Sequence, residues 1–178
     1  NGDGIIDDQD RTFLGRSMPK YTFGINLSAT YKNFDLSMFW QGMAGHYIYN
    51  GTYSSLMIGD LTNHSTDMLN YWTPENTNTN IPRPVKNNPN DNNRPSNRFV
   101  EKGDYIKLQA LEIGYTFDTD KTIFNKVRIY TSGQNLLTFT KYKGYDPDFI
   151  SDGLLSRGFE FGSFPNPVTV SFGIEANF

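Results

Sequence analysis

Residues 168–178 read Val168-Thr-Val-Ser-Phe-Gly-Ile-Glu-Ala-Asn-Phe178, and apolar and polar side chains alternate along this stretch without a break. Successive side chains of a β-strand point to opposite faces, so the stretch predicts one strand with an apolar face and a polar face. Its length is about that of a tilted strand that crosses a bilayer, which favours an apolar face in contact with lipid. The last strand of a soluble sandwich can alternate in the same way, so this second interpretation stays open here.

Composition limits how the chain could cross a membrane. Its 178 residues include no Cys, 15% are aromatic and 37% are hydrophobic, and the mean hydropathy is −0.57. No run approaches the roughly 18 apolar residues that a membrane helix needs, so a spanning structure would have to be a β-barrel. Low hydropathy fits a barrel, because only every second strand residue is apolar. The net charge of −3 gives no basic footprint for nucleic acid.

Three further stretches alternate between apolar and polar residues. Tyr21–Tyr31 and Phe34–Gln41 are separated only by residues 32–33, which predicts a hairpin with a tight turn. Val127–Leu137 also alternates, although it is the least apolar of the set. These stretches add three predicted strands to the first.

A fifth predicted strand, Tyr105–Phe117, changes phase along its length. Ile106 and Leu108 are out of phase with Leu111 and with the alternating residues that follow it. One extra residue in a strand, a β-bulge, restores the phase. We therefore expect a bulge near Ala110.

The connections between the predicted strands alternate in length. Residues 32–33 and 118–124 are short connections, whereas residues 43–103 and 138–167 are long ones. Outer-membrane barrels have short periplasmic turns and long extracellular loops. We expect an all-β fold made of about five C-terminal strands of a large antiparallel transmembrane β-barrel with long extracellular loops. Five strands cannot close a membrane barrel, since the smallest have about eight, so further strands are expected from outside this chain.

Short motifs distributed over nearly the whole chain resemble one protein family. Their order and spacing are similar to the C-terminal end of SusC/RagA-type TonB-dependent outer-membrane transporters of Bacteroidota, although the family more often has Arg at the position of Lys107. The motifs include Asn1-Gly-Asp-Gly4, Tyr31-Lys-Asn-Phe-Asp-Leu-Ser37, Tyr71-Trp-Thr-Pro-Glu-Asn76, Gly103-Asp-Tyr-Ile-Lys-Leu108, Thr138-Phe-Thr-Lys-Tyr-Lys-Gly144 and Tyr145-Asp-Pro-Asp148.

This resemblance implies that residues 1–178 are the C-terminal segment of a receptor barrel of about 22 strands, with the plug domain and the earlier strands absent. The chain starts on Asn1 without Met, which also leads us to expect a missing N-terminal part. The implied location is the cell outer membrane, and the implied function is import of oligosaccharides or peptides. The implied partners are outer-membrane lipid, a SusD-like surface lipoprotein, the cargo, and the TonB complex, which would be reached through the absent N-terminal part.

Other function classes find less support in the sequence. His46 and His64 lie in predicted loops without metal-ligand spacing, and there is no nucleophile elbow, phosphate loop or dinucleotide fingerprint, so we do not expect an enzyme. The alternative is a soluble, calcium-stabilised β-sandwich that serves as the binding module of a surface glycan-binding protein. A sandwich buries its apolar faces in one core, whereas a barrel presents an apolar stripe to lipid on every strand.

The first ten residues match the later part of an EF-hand-like calcium loop. The usual first carboxylate would precede the chain, and the last ligand is a short Asp instead of the usual Glu, which weakens bidentate coordination. Calcium is the only cofactor that we expect. The alternative is an Asp/Gly-rich surface turn whose carboxylates accept hydrogen bonds from nearby amides. The expected ligands are the side chains of Asn1, Asp3, Asp7 and Asp10 and the backbone carbonyl of Ile5.

Two loop segments are candidates for contacts outside the barrel. Tyr71 and Trp72, in the first long connection, are candidates to bind cargo or the lipoprotein. They could equally fix the loop onto the barrel rim, which we favour because aromatic residues are common at membrane interfaces. The second segment, Lys141–Phe149, is expected to be a structured outer loop that packs on its neighbours.

Overall fold

The structure is a computed structural model that describes residues 2–4, 7–58, 63–118, 123–149 and 156–177. It contains one α-helix, Gly51–Leu56 (α1), and the 3-10 turns Asp8–Asp10 and Thr66–Asn70. Within these ranges, none of the helices has the length and apolar character needed to cross a membrane. The strands are Tyr21–Tyr31 (β1), Phe34–Ala44 (β2), Tyr47–Asn50 (β3), Val100–Lys102 (β4), Tyr105–Asp118 (β5), Lys126–Thr140 (β6), Phe159–Glu160 (β7) and Thr169–Asn177 (β8).

The largest unit of the described chain is a five-stranded sheet in the order β1-β2-β5-β6-β8. All neighbouring strands in it are antiparallel. These are the five strands that alternation predicts, so the predicted fold class is confirmed. The predicted last residue, Phe178, lies outside the described residues. The ends of β2, β5 and β6 at Ala44, Tyr105 and Thr140 mark what we call the long-loop end of the sheet.

The predicted bulge in β5 is confirmed. Against β2, Ala110 pairs with Phe39, but Leu108 pairs with Trp40, so Gln109 is an extra residue with no counterpart. The extra residue brings Leu108 onto the same face as Leu111. The phase change in the sequence therefore has the structural cause that the pattern indicated.

A second bulge, which the sequence analysis did not predict, lies beside the first in β6. Gln134 pairs with Ala110 and Leu137 pairs with Leu108, so two residues of β6 lie opposite the single Gln109. Asn135 has a φ of 54°, a left-handed conformation that Asn tolerates better than most residues. The β6 strand therefore continues past Leu137, where the simple alternation had ended, to Thr140.

Most apolar residues of the five strands share one face, and much of this face is exposed. In β8, Phe172 is 84% exposed and Ile174 is 76% exposed. Ile174 lies opposite Ile129, which lies opposite Tyr115 of β5. A soluble sandwich would bury such a face against a second sheet, so the sandwich alternative is wrong.

Aromatic rings lie at the opposite end of this apolar face, where a short turn joins β1 to β2; we call it the short-turn end. The ring centroids of Phe34 and Tyr115 are 4.6 Å apart with planes at 71°. Tyr115 and Phe117 are also 4.6 Å apart, with planes at 65°. Edge-to-face contacts of this kind stabilise aromatic clusters, and a girdle of aromatic residues is typical of the edge of a barrel's lipid-facing band.

The long connections build a smaller unit beyond the long-loop end. Strands β4, β3 and β7 form a three-stranded sheet, in which β3 is antiparallel to β4 and parallel to β7. Next to it lies a small core formed by Met57, Met68, Ile81 and Phe99. Between residues 73 and 98 the chain forms turns and one isolated bridge, and Ile81 from this stretch is part of the small core.

Candidate functional site

The polar face of the five-stranded sheet carries a charged cluster near its short-turn end. Arg128 of β6 donates from Nε to Asp35 Oδ1 on β2 (3.0 Å) and from Nη2 to Glu112 Oε1 on β5 (2.7 Å). The guanidinium crosses β5 at Gly114, where a Cβ would lie 2.6 Å from Asp35 Oδ1. Glycine therefore leaves room for one side chain to link three strands. Charged, hydrogen-bonded groups on this face fit a wet or plugged barrel interior.

A second cluster, at the long-loop end of the same face, is centred on Lys107 of β5. Its side chain is 1% exposed, and Nζ donates to both carboxylate oxygens of Asp146 (3.2 and 3.1 Å) and to Asp148 Oδ2 (3.1 Å). A buried ammonium group is strongly destabilising unless it is paired, so two carboxylates are a suitable environment. Both Asp residues belong to the predicted loop Lys141–Phe149, which therefore packs on the sheet as expected.

Asp148 also binds two neutral side chains of the sheet. Its Oδ1 accepts a hydrogen bond from the Tyr105 hydroxyl (2.8 Å), and its Oδ2 accepts one from Gln41 Nε2 (3.1 Å). Gln41 is on β2 and Tyr105 is on β5. The Asp148 carboxylate therefore ties the loop to two adjacent strands.

Asp146 joins the two ends of the second long loop. Its Oδ2 accepts hydrogen bonds from the backbone amide (3.1 Å) and Nδ2 (3.0 Å) of Asn166, which lies shortly before β8. Burial acts to raise the pKa of Asp146, but hydrogen bonds from the amides of Asp148 and Asn166 and from Lys107 lower this pKa overall. The carboxylate is therefore ionised at neutral pH and can hold Lys107 as an ion pair.

The small sheet is connected to the same long loop by hydrogen bonds of two glutamates. Glu101 accepts hydrogen bonds from Asn50 Nδ2 (3.1 Å) and from the Lys143 amide (2.9 Å). Glu160, which is buried, accepts hydrogen bonds from the Thr52 hydroxyl (3.0 Å) and the Ser163 amide (2.8 Å). These bonds hold parts of both long connections together above the sheet.

The two predicted loop candidates, Tyr71 and Trp72, have different surroundings. Tyr71 packs against the small core that contains Met57 and Phe99, so its ring fixes the loop. Trp72 is 43% exposed, and its backbone amide donates to the Ile81 carbonyl (2.9 Å). Trp72 is therefore an anchored residue whose indole ring is partly accessible to a ligand.

The predicted calcium ligands are only partly described by the structure. Asn1 and Ile5 lie outside the described residues, and Asp3 is exposed. In the part of the chain that is described, no three His, Cys, Asp or Glu side chains lie close enough together to hold a metal ion. The set of predicted ligands thus stays a prediction.

Asp7 and Asp10 accept hydrogen bonds from backbone amides, as expected for an Asp/Gly-rich surface turn. The Asp7 side chain accepts a hydrogen bond from the Gln9 amide (2.8 Å), and the Asp10 side chain accepts one from the Asp7 amide (3.1 Å). Together these bonds form a capping box at the 3-10 turn that ends at Asp10. These bonds use one oxygen of each carboxylate, Oδ1 of Asp7 and Oδ2 of Asp10.

Similarity to known proteins covers the whole chain. It is 38% identical to TonB-dependent receptor P3 and 32% identical to TonB-dependent receptor P26, both from Formosa agariphila, and spans 18% and 19% of their lengths. It is 24% identical to TonB-dependent receptor SusC of Bacteroides thetaiotaomicron and spans 17% of that protein. The chain therefore corresponds to less than a fifth of these relatives. No protein-family model matches the chain.

Solved structures show the same fold. The RagAB peptide importer in its "open-open" state superposes with a TM-score of 0.74 over 90% of this chain and 17% of the importer chain, at 25% identity. The sheet has one exposed apolar face and one charged polar face, and its fold matches these structures. The chain is therefore a segment of an antiparallel transmembrane β-barrel. The sequence similarity to SusC and to two further receptors agrees with this fold, so the chain is similar to the C-terminal part of the SusC/RagA-type TonB-dependent receptors.

Proposed function

We propose that residues 1–178 form the C-terminal strands of the barrel of an outer-membrane importer that takes up oligosaccharides or peptides. The observation that carries this proposal is the five-stranded sheet, whose apolar face is exposed while its polar face holds ion pairs and an anchored loop. An exposed apolar face suits lipid, and a polar face suits an interior through which hydrophilic cargo passes. The chain has a role in transport, not in catalysis.

In this proposal, energy coupling and the covering of the barrel depend on proteins or segments other than residues 1–178. We propose that the TonB complex acts through the receptor's N-terminal part and that a SusD-like surface lipoprotein covers the long-loop end. The loops above the sheet, held by Lys107 and Glu101, would then form part of the surface that meets cargo or lipoprotein. Trp72 is the residue proposed to contact cargo, because a partly exposed, anchored indole can stack on a sugar ring or on an apolar peptide side chain.

Uptake of labelled oligosaccharides and peptides by cells that carry the full-length receptor tests this function. Uptake should stop when the proton gradient is collapsed, and Trp72→Ala should reduce it about tenfold, which corresponds to roughly 1.4 kcal/mol of lost binding. Leu69→Ala is the matched control, since Leu69 is close in sequence and 84% exposed. Uptake that does not depend on the gradient would contradict the importer, and equal uptake by the two variants would contradict the role of Trp72.

We also propose that the intact receptor binds calcium through the segment that contains Asp3, Asp7 and Asp10. The support is the match of this segment to the spacing of a calcium loop. Terbium luminescence of the full-length receptor should decrease when Asp3→Asn and Asp7→Asn are combined, and calcium should displace terbium from the unmodified protein. Asp91→Asn, in an exposed loop, is the control. Unchanged luminescence in the double variant would leave only the capping role of these residues.

A further inference from the structure

A cleft of about 440 Å³ opens at the long-loop end of the sheet. It lies where the segment before β1 meets the β2–β3 and β4–β5 connections. The residues that line the cleft include Arg16, Lys20, His46, Tyr47, Lys102 and Asp104. None of these residues takes part in the Lys107 or Arg128 clusters.

The walls of the cleft are fixed by backbone hydrogen bonds. The Tyr47 amide donates to the Arg16 carbonyl (2.8 Å), and the Lys20 amide donates to the Ala44 carbonyl (2.9 Å). On the other side, the Gly45 amide donates to Asp104 Oδ1 (2.7 Å). The cleft is therefore bounded by segments that are joined to one another and to the two sheets.

Positive charge dominates the lining. Arg16, Lys20 and Lys102 are cations, and Asp104 is the one carboxylate among the lining residues. None of the three cations forms a salt bridge with the described residues. One oxygen of Asp104 is already bound to the Gly45 amide. Three cations that face one carboxylate in a concave site attract an anion.

His46 forms a buried part of the cleft wall. The residue is 6% exposed, and its Nδ1 has no hydrogen-bond partner among the described residues. Burial lowers the pKa of His46, and the nearby Asp104 only partly opposes this, so the imidazole is neutral at pH 7. Gly103 packs directly against the ring, where a Cβ would collide with Nε2. His46 therefore adds no charge to the cleft, and the attraction for an anion comes from the three cations.

We propose that this cleft binds an oxyanion, namely a carboxylate, sulfate or phosphate group of a ligand outside the cell. Arg16 can bind such a group through two parallel hydrogen bonds, and the two Lys side chains add point charges. Phe13 and Tyr47 also line the cleft and can contact the ring or chain that carries the anion. The extracellular position rests on the proposed function, whereas anion binding does not.

Calorimetry on the full-length receptor tests this inference, with trigalacturonate as the anionic probe and maltotriose as the neutral one. Arg16→Gln and Lys102→Gln should each weaken trigalacturonate binding about tenfold, and added salt should weaken it in the unmodified receptor. Lys126→Gln removes the same charge at the short-turn end and should leave binding unchanged. Equal trigalacturonate binding by the cleft variants and the Lys126 variant excludes this probe as a ligand of the cleft, and it overturns the inference if the lipid measurement below also shows no dependence on the cleft. Maltotriose binding that is weakened by the cleft variants to the same extent as trigalacturonate binding also overturns the inference.

A lipid headgroup is the other source of an oxyanion at this position, and a second experiment tests for lipid binding. The same variants are placed in nanodiscs that contain lipid A, and lipid retained by the receptor is measured by native mass spectrometry. Retention lost only in the cleft variants supports the site with a lipid phosphate as its ligand. If neither probe depends on the cleft, the inference fails. Cargo uptake is measured in the same variants, so normal uptake without cleft-dependent anion binding refutes the inference and leaves the importer standing.

Discussion

Lys107→Met is expected to release the Lys141–Phe149 loop and to lower the free energy of unfolding by about 3–5 kcal/mol, the usual effect of removing one partner of a buried ion pair. Lys107 is 1% exposed and is held by Asp146 and Asp148, so the variant leaves two carboxylates near an apolar side chain. The measurement is the temperature at which the full-length receptor loses its compact band in detergent gels. Faster proteolysis between residues 141 and 167 should accompany the loss.

The matched control for this variant is Lys143→Met. Lys143 is an exposed lysine of the same loop, and its described contact is made by the backbone amide, which the substitution retains. Adding Asp146→Asn and Asp148→Asn to Lys107→Met should recover part of the stability, because the uncompensated charges are removed. If Lys107→Met melts and is cleaved like Lys143→Met, the ion pairs do not anchor the loop.

Phe172→Arg is expected to hinder insertion of the barrel, with a cost of about 2–4 kcal/mol for an arginine near the bilayer midplane. Phe172 lies in the middle of β8 on the apolar face and is 84% exposed, so the charge would have to enter lipid. Urea titration of the full-length receptor in lipid vesicles measures the loss. The compact fraction in detergent gels gives an independent value.

Ser171→Arg is the control for the membrane-facing assignment. Ser171 is the neighbour of Phe172 in β8 and pairs with Ser132 on the polar face. An arginine at residue 171 points to the barrel interior and should be tolerated with a much smaller loss of stability. Equal losses at residues 171 and 172 would show that the two faces are not separated by lipid and water.

Alternation of side chains was enough to predict the large sheet, because a strand with one face in lipid and one in water has a strict period of two. The bulge at Gln109 was also predictable, since it leaves a phase change in the sequence. The neighbouring bulge at Asn135 was missed because Val127–Leu137 has few apolar residues, so its phase is poorly defined.

The small sheet could not be predicted from periodicity. Its strands β4 and β7 are only 3 and 2 residues long, too short to establish a period. Strand β3 pairs in parallel with β7, which lies far away in the sequence and is held there by the hydrogen bond between Glu160 and Thr52. Such pairings depend on tertiary contacts, which local sequence does not encode.

The charged clusters were only partly visible in the sequence. Alternation assigns Arg128 and Glu112 to the polar face, but it does not show that Arg128 crosses a whole strand to reach Asp35, 93 residues away. Gly114 was a usable signal, because a residue without a side chain leaves room for a long charged side chain to cross the strand. Lys107 was recognised only as part of a motif, and its buried state follows from the folded loop.

The bulge at Gln109 also decides on which side of the barrel wall Lys107 lies. Lys107 and Leu111 are separated by an even number of positions, so in an uninterrupted strand both would point to the same side. The extra residue reverses this: Leu111 pairs with Met38 on the apolar side, and Lys107 pairs with Gln41 on the polar side. Deleting Gln109 would turn an interior ammonium group outward into hydrocarbon, without changing the chemical identity of any remaining residue. Insertions and deletions in this part of the wall are therefore tolerable only in compensating pairs.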